Sequence, residues 1–295
     1  MFIDRTCPTT HNDENFALED SSFFKQKRAA SLPSPSDIRG LANASTNPFA
    51  VDFNRPTPVS IPSLGLFVKY GADVPVVEAK TQMKMHALLK GRVPIPEVYG
   101  WRVDSKQTFI YMELISGDTL NASWGDIREN MRLTICEELR DMVQAWRSLK
   151  QDSKDPYIGS DGGEEPLNEI FFADRPWLRG PYRGQNAVEQ LHEACRLDIR
   201  NDVPIVFTHN DIAPPNILLT PGPRPKIAAI VDWTQSGWYP AYWESCKARR
   251  VGVLAELMSE ELQDEWHEKY LPRIVDMLDE EAYYHPFIRF EQSII

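Results

Sequence analysis

The stretch that decides the fold is PIVFTHNDIAPPNILLTPGPRPKIAAIVDWTQSGWYPAYW, residues 204–243. Two apolar runs within it, residues 205–208 and 227–231, predict β-strands because each is short and bounded by turn-forming residues. Between them, residues 216–220 and the turn at residues 221–223 (Pro-Gly-Pro) indicate a hairpin-like connection. The stretch therefore predicts a pair of strands with a polar loop after each.

Polar side chains follow both strands. His209, Asp211 and Asn216 come after the first, and Asp232 directly follows the second. This order predicts two carboxylates and an amide at one end of a strand pair. Oxygen ligands of this type suit Mg²⁺, which uses one or two carboxylates together with substrate phosphates. Phosphoryl transfer also needs an oriented hydroxyl, whose proton Asp211 could accept while Asn216 and Asp232 hold the metal.

Each of these residues taken alone also has a structural explanation. Asp211 and Asn216 are residues that favour turns, and Asp232 could cap the N-terminus of a helix. Their joint order is what favours chemistry. The aromatic residues from Trp233 to Trp243 indicate a core cluster rather than a ligand cage, and Trp233 itself is interpreted as a packing residue.

The residues N-terminal to this stretch predict a small α+β region. A strand is expected at residues 64–71 and a helix at residues 75–89, where good helix formers continue until prolines interrupt them. A second extended region begins with residues 93–103. Residues 108–115 are rich in β-branched and aromatic side chains and predict a further strand, which ends in a turn at residues 116–118.

The remaining segments differ in regularity. Residues 1–50 are polar, with Pro35 able to open a short helix, and predict a loosely held arm. From Asp126, apolar residues recur every three or four positions and predict an amphipathic helix of about twenty residues. Residues 151–190 indicate a long irregular insertion, whereas residues 243–278 are expected to be helical again.

The motifs resemble those of a known superfamily. HNDIAPPN matches the HxDxxxxN signature of the aminoglycoside phosphotransferase and choline kinase superfamily, and IVDW matches its second metal-binding motif. LGLFVKYG, VPIPEVYGW, FIYMELISGDTL and SGWYPAYWESCKAR resemble segments of the fungal phosphotransferase-family proteins, over roughly residues 60–250. The resemblance implies a two-lobed, protein-kinase-like α+β fold. Residues 1–50 would form a partly ordered arm, 51–115 a β-rich nucleotide-side lobe, and 116–295 a mainly helical catalytic and acceptor-side lobe.

The resemblance also implies roles for the polar residues of the motifs. Asp211 corresponds to the catalytic base, and Asn216 and Asp232 correspond to ligands of Mg²⁺. His209 belongs to the same catalytic group, where it is expected to brace the loop through backbone hydrogen bonds rather than to transfer protons.

On the nucleotide side, the resemblance implies ATP as phosphate donor. Lys69 matches the lysine that contacts the nucleotide phosphates, and Glu78 matches its ion-pair partner. Taken alone, either could be an ordinary surface charge. Met112, Glu113 and Ile115 fall in the segment that matches the hinge, whose backbone groups would face adenine.

One feature departs from the superfamily pattern. The nucleotide loop normally precedes the lysine strand, yet Gly65 is the only glycine between Gly40 and Gly71, so no GxGxxG motif is present. The small polar run at residues 41–46 is a candidate substitute. The departure motivates a second hypothesis, in which the chain is a catalytically silent nucleotide-binding or scaffold protein.

Composition excludes several classes of protein. The chain has 32 Lys and Arg against 43 Asp and Glu, a net charge of −11, which argues against nucleic acid as a partner. Neither a signal peptide nor a membrane-spanning run is recognisable, and the cysteines show no metal-site or disulfide spacing. We therefore expect a cytoplasmic protein without a membrane partner, with Cys136 as a buried thiol. The oligomeric state stays open.

The acceptor is expected to be a small molecule with a hydroxyl group, bound by the insertion. An acidic surface would favour a cationic amine or aminoglycoside, and an arginine cluster would favour a carboxylate or phosphate. The insertion offers both, so the choice stays open. A weaker alternative is metal-dependent hydrolysis with His209, Asp211 and Asp232 as ligands. The charged residues of the insertion that offer this choice include Asp161, Glu164, Glu165, Glu169, Asp174, Arg175, Arg179 and Arg183.

Overall fold

The chain divides into two compact units in this computed structural model. The first contains the described residues up to Lys90 together with Ile95–Ile115, and the second contains Gly91–Pro94 and the described residues from Ser116 onward. The structure describes residues 14–151, 154–250, 252 and 257–293.

The first unit is built around an antiparallel sheet with strand order β1-β4-β5-β3-β2. The strands expected at residues 64–71 and 108–115 and the helix expected at residues 75–89 are confirmed. In chain order, the elements are β1 (Asn15–Ala17), α1 (Ser22–Lys25), α2 (Pro35–Asn43), β2 (Val59–Ile61), β3 (Leu66–Gly71), α3 (Val76–Leu88), β4 (Val98–Asp104) and β5 (Gln107–Glu113).

The two faces of this sheet are covered by different segments. Val68 and Tyr70 of β3 pack with Ile38 of α2 in one apolar cluster. On the opposite face, Ile110 of β5 packs with Ala79 of α3 in a second cluster. Successive side chains of a strand point to opposite faces, so Lys69, between Val68 and Tyr70, lies on the α3 face.

The prediction of a loosely held N-terminal arm is wrong for residues 14–50. Phe23 and Ile38 are fully buried and Leu32 nearly so, although the segment lacks the periodicity that announces a helix or strand. Its elements are too short to show such a period. Helix α2 begins at Pro35 as expected, and Ser34 caps it by accepting a hydrogen bond from the Asp37 N–H. Residues 1–13, including Cys7, lie outside the described residues.

The second unit combines small sheets with helices. Its strands are ordered β11-β10-β6, β12-β9 and β7-β8, all antiparallel. In chain order, its elements are β6 (Asp118–Thr119), α4 (Leu120–Ser123), α5 (Glu129–Arg147), β7 (Tyr157–Ile158), β8 (Tyr182–Arg183), α6 (Ala187–Cys195), β9 (Ile205–Thr208), β10 (Ile217–Leu219), β11 (Ile227–Ile230), β12 (Gly237–Pro240), α7 (Trp243–Ala248), α8 (Glu260–Glu265), α9 (Leu271–Ile274) and α10 (His285–Gln292).

Helix α5 confirms the amphipathic pattern predicted from Asp126. Ile135, Leu139, Val143 and Trp146 are buried along one side, at the spacing that a helix requires. Cys136 is also buried, and desolvation raises its pKa to about 12, so the thiol is unreactive at neutral pH. Among the described residues, none of the helices has the length and apolar composition needed to cross a membrane.

The insertion at residues 151–190 is irregular, as expected, but it is not an unpacked loop. Ile158, Leu167, Phe172 and Leu178 are buried in the same apolar cluster as Trp243 of α7. Because these side chains sit on short strands and 3-10 turns, their burial leaves no regular pattern in the sequence. The insertion is therefore part of the core of the second unit.

One strand pairing differs from the prediction. The two apolar strands that carry the motifs do not pair with each other, because β9 pairs with β12 and β11 pairs with β10. The hairpin-like connection between β10 and β11 is confirmed. The polar residues are instead brought together by the loops that follow β9 and β11.

Candidate active site

Backbone and imidazole hydrogen bonds join the loop after β9 to the end of β11. The Val231 N–H donates to the Asn216 carbonyl at 2.9 Å. The His209 Nε2 lies 3.0 Å from the Val231 carbonyl, and the Asp211 N–H donates to His209 Nδ1 at 3.2 Å. These three bonds place Asp211, Asn216 and Asp232 on neighbouring loops.

His209 is a neutral bracing residue in this geometry. With Nδ1 accepting from the Asp211 N–H, Nε2 carries the proton that it donates to Val231. Complete burial lowers the pKa of the imidazole, outweighing the nearby carboxylates Glu244 and Asp232, which favour its charged form. Both ring nitrogens are occupied, so His209 is not placed to ligate the metal required by the hydrolysis alternative.

Asp211 and Asn216 are in direct contact. The Asn216 Nδ2 donates to Asp211 Oδ2 at 2.9 Å and to the Asp211 carbonyl at 3.0 Å, which fixes the orientation of the carboxylate. Burial raises the pKa of Asp211, and the nearby Asp232 adds to the rise, while Lys247 opposes it. Both side chains nevertheless belong to partly exposed residues, so a ligand can reach them.

Asp232 occupies a left-handed backbone position. Its φ of 63° is unusual for a residue other than glycine but is tolerated by aspartate. The Thr234 hydroxyl donates to Asp232 Oδ1. The sharp turn ends β11 and holds a partly exposed carboxylate near Asp211, because Asp232 contributes to the raised pKa of Asp211.

The donor set fits Mg²⁺. Since the Asn216 amide nitrogen is turned toward Asp211, its Oδ1 is the atom that remains to bind a cation, and the carboxylate of Asp232 lies on the adjoining loop. These are the hard oxygen donors that Mg²⁺ takes, and the repulsion between Asp211 and Asp232 would be relieved by a cation. Among the described residues, no group of three His, Cys, Asp or Glu side chains is arranged to hold a metal ion.

The first unit brings Lys69 and Glu78 together. The Lys69 Nζ lies 2.7 Å from Glu78 Oε1, joining β3 to the first turn of α3. The Glu78 side chain is 1% exposed, whereas that of Lys69 is 23% exposed. The pairing implied by the resemblance is thus present, with the lysine as the accessible partner.

The hinge segment is partly committed to backbone bonds. The Glu113 N–H donates to the Glu97 carbonyl at 2.9 Å, and the Leu114 N–H donates to the Gly65 carbonyl at 3.1 Å. Met112 is buried and lies within β5. Of the hinge residues implied by the resemblance, Glu113 therefore does not offer its N–H to a nucleotide.

The turn before the lysine strand is short and pinned. Gly65 adopts a left-handed φ of 55° directly before β3, and the Arg28 guanidinium donates to its carbonyl at 3.1 Å. The candidate substitute for a glycine loop is wrong. Residues 41–46 begin in α2, whose Ala42 belongs to the cluster on the face opposite Lys69.

Three charged residues support the loop of residues 209–216 from behind, a role that sequence reasoning did not assign to them. Glu244 accepts the backbone N–H groups of His209 at 2.8 Å and Asn210 at 3.0 Å. Glu169 and Lys247 form an ion pair of 2.6 Å, and all three residues are almost fully buried. The signal in the sequence was two charges, Glu244 and Lys247, three residues apart and directly after the aromatic stretch of residues 233–243.

The arginines of the insertion donate to backbone carbonyls. Arg183 donates to the Gly163 carbonyl, Arg175 to the Ser293 carbonyl at 2.9 Å, and Arg179 to the Phe172 carbonyl at 3.4 Å. They are thus spread over internal contacts rather than gathered toward one anion, which disfavours the arginine-cluster alternative for the acceptor.

Comparison with known proteins identifies the family. The model of the phosphotransferase enzyme family (APH) matches residues 66–280, which is most of the chain. The chain belongs to this family. No curated protein matches its sequence.

Solved structures of aminoglycoside phosphotransferases are similar to this chain. The aminoglycoside-3'-phosphotransferase of type VIII is 16% identical, with 78% of this chain and 85% of that chain covered and a TM-score of 0.50. APH(3'')-Id from Streptomyces rimosus, in complex with ADP and streptomycin, is 17% identical over 89% and 98% of the two chains, with a TM-score of 0.48. A thermostable mutant of APH(4)-Ia, with AMP-PNP and hygromycin B, is 15% identical over 83% and 90%, with a TM-score of 0.46. The predicted α+β, protein-kinase-like fold is confirmed.

Proposed function

We propose that this phosphotransferase moves the γ-phosphate of ATP to a hydroxyl group of a small molecule. The observation that carries the proposal is the contact between Asp211 and Asn216, with Asp232 on the adjoining loop. Membership of the phosphotransferase family supports the reaction class. A cytoplasmic location stays a prediction.

Asp211 is proposed as the general base. Its carboxylate would accept the proton of the acceptor hydroxyl as that oxygen bonds to the γ-phosphorus, while the bond from phosphorus to the ADP oxygen breaks. Asn216 holds the carboxylate in one orientation, which keeps the reacting atoms aligned. The elevated pKa of Asp211 is compatible with a base that must take up a proton.

Lys69, oriented by the buried Glu78, presents an accessible ammonium group to the nucleotide phosphates. Asn216 and Asp232 would bind Mg²⁺, which neutralises charge on the phosphates. The Ile115 backbone, rather than the N–H groups of Glu113 and Leu114, is proposed to meet the adenine base.

A second function is favoured by one specific observation. The lysine strand is preceded by a tight turn at Gly65 instead of a glycine-rich loop, and the Leu114 N–H is already bonded to that turn. A nucleotide-binding protein without turnover would be compatible with both features.

Two measurements separate the functions. We expect Mg-ATP at 100 times its Kd to stabilise the protein by about 2.7 kcal/mol in a thermal-shift experiment. We further expect ATP-dependent phosphorylation in a screen of hydroxylated metabolites, reduced about 100-fold to 10,000-fold by Asp211→Asn. The control is Asp198→Asn, which changes an exposed carboxylate of the same unit. A thermal shift without turnover by the wild type would favour the silent protein.

A further inference from the structure

The insertion places a buried carboxylate directly behind the catalytic loop. Glu169 is 1% exposed. Its Oε1 accepts from the Lys247 Nζ at 2.6 Å and the Phe171 N–H at 3.2 Å, and its Oε2 accepts from the Asn210 Nδ2 at 2.5 Å and the Trp243 Nε1 at 3.1 Å. Four hydrogen-bond donors meet at one buried carboxylate, so specific contacts compensate the cost of burying it.

Asn210 is the residue that this carboxylate holds in the catalytic loop. It stands between His209 and Asp211, with a left-handed φ of 65°. Asparagine tolerates this backbone conformation better than most residues other than glycine. The backbone conformation alone, however, does not fix the orientation of the Asn210 side chain. The orientation comes from Glu169 and from the Gln235 carbonyl, which accepts from the Asn210 Nδ2 at 3.3 Å.

The same part of the insertion also reaches the loop after Asp232. The Asn168 Nδ2 donates to the Thr234 carbonyl at 3.3 Å, and the Ile170 N–H donates to Gln235 Oε1 at 3.1 Å. Lys247 donates to the same Gln235 oxygen at 2.6 Å. Residues 168–170 are therefore bonded both to the loop of the base and to the loop of the second carboxylate.

Stability alone explains this arrangement poorly. A buried ion pair gains little over well-packed apolar side chains, because the cost of desolvating both charges offsets their attraction. What the pair does provide is directed hydrogen bonds to two separate loops. Directed bonds of this kind fix geometry, and a displacement of about 1 Å near a reacting group can cost about 100-fold in rate.

We propose that Glu169 and Lys247 are a positioning pair, through which the insertion sets the relative placement of the loops bearing Asp211 and Asp232. The kinetic part of this proposal rests on the proposed function, whereas its structural part does not. Neither residue is proposed to touch a substrate.

The central variant is Asn210→Gly. Glycine adopts the left-handed conformation without strain, so the substitution removes the bond to Glu169 while leaving the ion pair intact. We expect faster amide hydrogen exchange in a peptide covering residues 205–216, with unchanged exchange in residues 129–147 of α5. Glu169→Gln should produce the same local effect. The matched control is Glu189→Gln, an exposed carboxylate of the same insertion.

Turnover supplies the kinetic readout, with water as the acceptor probe and phosphate release from Mg-ATP as the signal. We expect Asn210→Gly to lower kcat about 10-fold to 100-fold, with the KM for ATP changed less than about twofold. Adding Glu169→Gln to Asn210→Gly should have little further effect, because both remove the same connection.

If residues 205–216 exchange their amide hydrogens as slowly in Asn210→Gly as in the wild type, the proposal is overturned. This result does not depend on turnover. Increased exchange in α5 as well would also overturn it, because a general loss of stability would then explain the data. If the wild type releases no phosphate but exchange rises locally, the positioning pair stands, and the screen of hydroxylated metabolites decides the proposed enzymatic function. If Glu169→Gln does not fold, Asn210→Gly still decides the question.

Discussion

The two units each contain a lysine–glutamate pair, and the pairs differ in exposure. In the first unit, the Lys69 side chain is 23% exposed over a buried Glu78. In the second, Lys247 is 1% exposed and Glu169 is completely covered. The two pairs have the same chemistry and nearly equal lengths, yet only Lys69 can meet a ligand. Exposure of the cation, rather than the presence of an ion pair, distinguishes a binding lysine from a positioning lysine.

The largest expected effect concerns the buried pair, Lys247 and Glu169. Lys247→Met leaves the carboxylate of Glu169 buried without its cation, so we expect the free energy of unfolding to fall by about 3–5 kcal/mol. Urea denaturation measures the loss. Adding Glu169→Gln to Lys247→Met should recover part of it, since no unpaired charge then stays buried. If Lys69→Met destabilised the protein as much as Lys247→Met, the distinction between the pairs would be lost.

A change to the partly exposed pair, Lys69 and Glu78, should affect catalysis more than stability. We expect Lys69→Met to lower ATP-dependent turnover about 100-fold, which corresponds to about 2.7 kcal/mol of transition-state stabilisation. The change in unfolding free energy should be less than half of that caused by Lys247→Met. Steady-state kinetics tests this, with Lys80→Met of α3 as a control on the same element. Equal turnover in Lys69→Met and the control would contradict a phosphate-binding role.

The buried histidines of the second unit predict an acid-sensitive stability. Burial lowers the pKa of both His209 and His192 below the ordinary value of 6.5. The unfolded chain therefore takes up protons below about pH 6.5 that the folded chain refuses. The stability contribution is complete above that pH and declines as the pH falls, by about 1.4 kcal/mol per pH unit for each histidine.

Urea denaturation between pH 7.5 and 5.5 measures this decline. His192→Gln should make the pH dependence shallower, because it removes one titrating group. The control is His285→Gln, which changes a histidine at an exposed position. A slope identical in all three proteins would show that His192 is not held neutral by burial.

The smallest expected effect concerns α2, which covers the face of the first sheet opposite Lys69. Ser34→Ala removes the capping hydrogen bonds of α2 and should cost about 1 kcal/mol in unfolding free energy. Ser36→Ala, at an exposed position in the same helix, is the matched control. Because α2 covers the face opposite Lys69, the affinity for Mg-ATP should stay unchanged. A weakened thermal shift with Mg-ATP would show that the two faces are not independent.

Local patterns in the sequence predicted the elements that local forces determine. The apolar spacing of α5 and the β-branched run of β5 stand where expected. The spacing between His209, Asp211 and Asn216 also predicted a common loop, because residues so near in sequence can hardly separate. In these cases the relevant contacts are close along the chain.

Contacts between distant residues could not be predicted in the same way. Glu169 and Lys247 are separated by 78 positions, and nothing local to either residue announces the other. The pairing of β9 with β12 instead of a motif strand likewise depends on the packing of the whole unit. The N-terminal segment was misjudged because Phe23 and Ile38 bury themselves from short elements that have no period.

The face of the first sheet that α2 covers has a practical consequence for producing the protein. The family match begins at residue 66, but α1, α2, β1 and β2 all precede it. A recombinant chain trimmed to the family boundary would lose two strands of the sheet and uncover the side chains of Val68 and Tyr70. Such a chain would expose apolar surface to solvent and leave a strand edge unpaired, and both features promote aggregation. The boundary of the recognised family is therefore not the boundary of the folding unit.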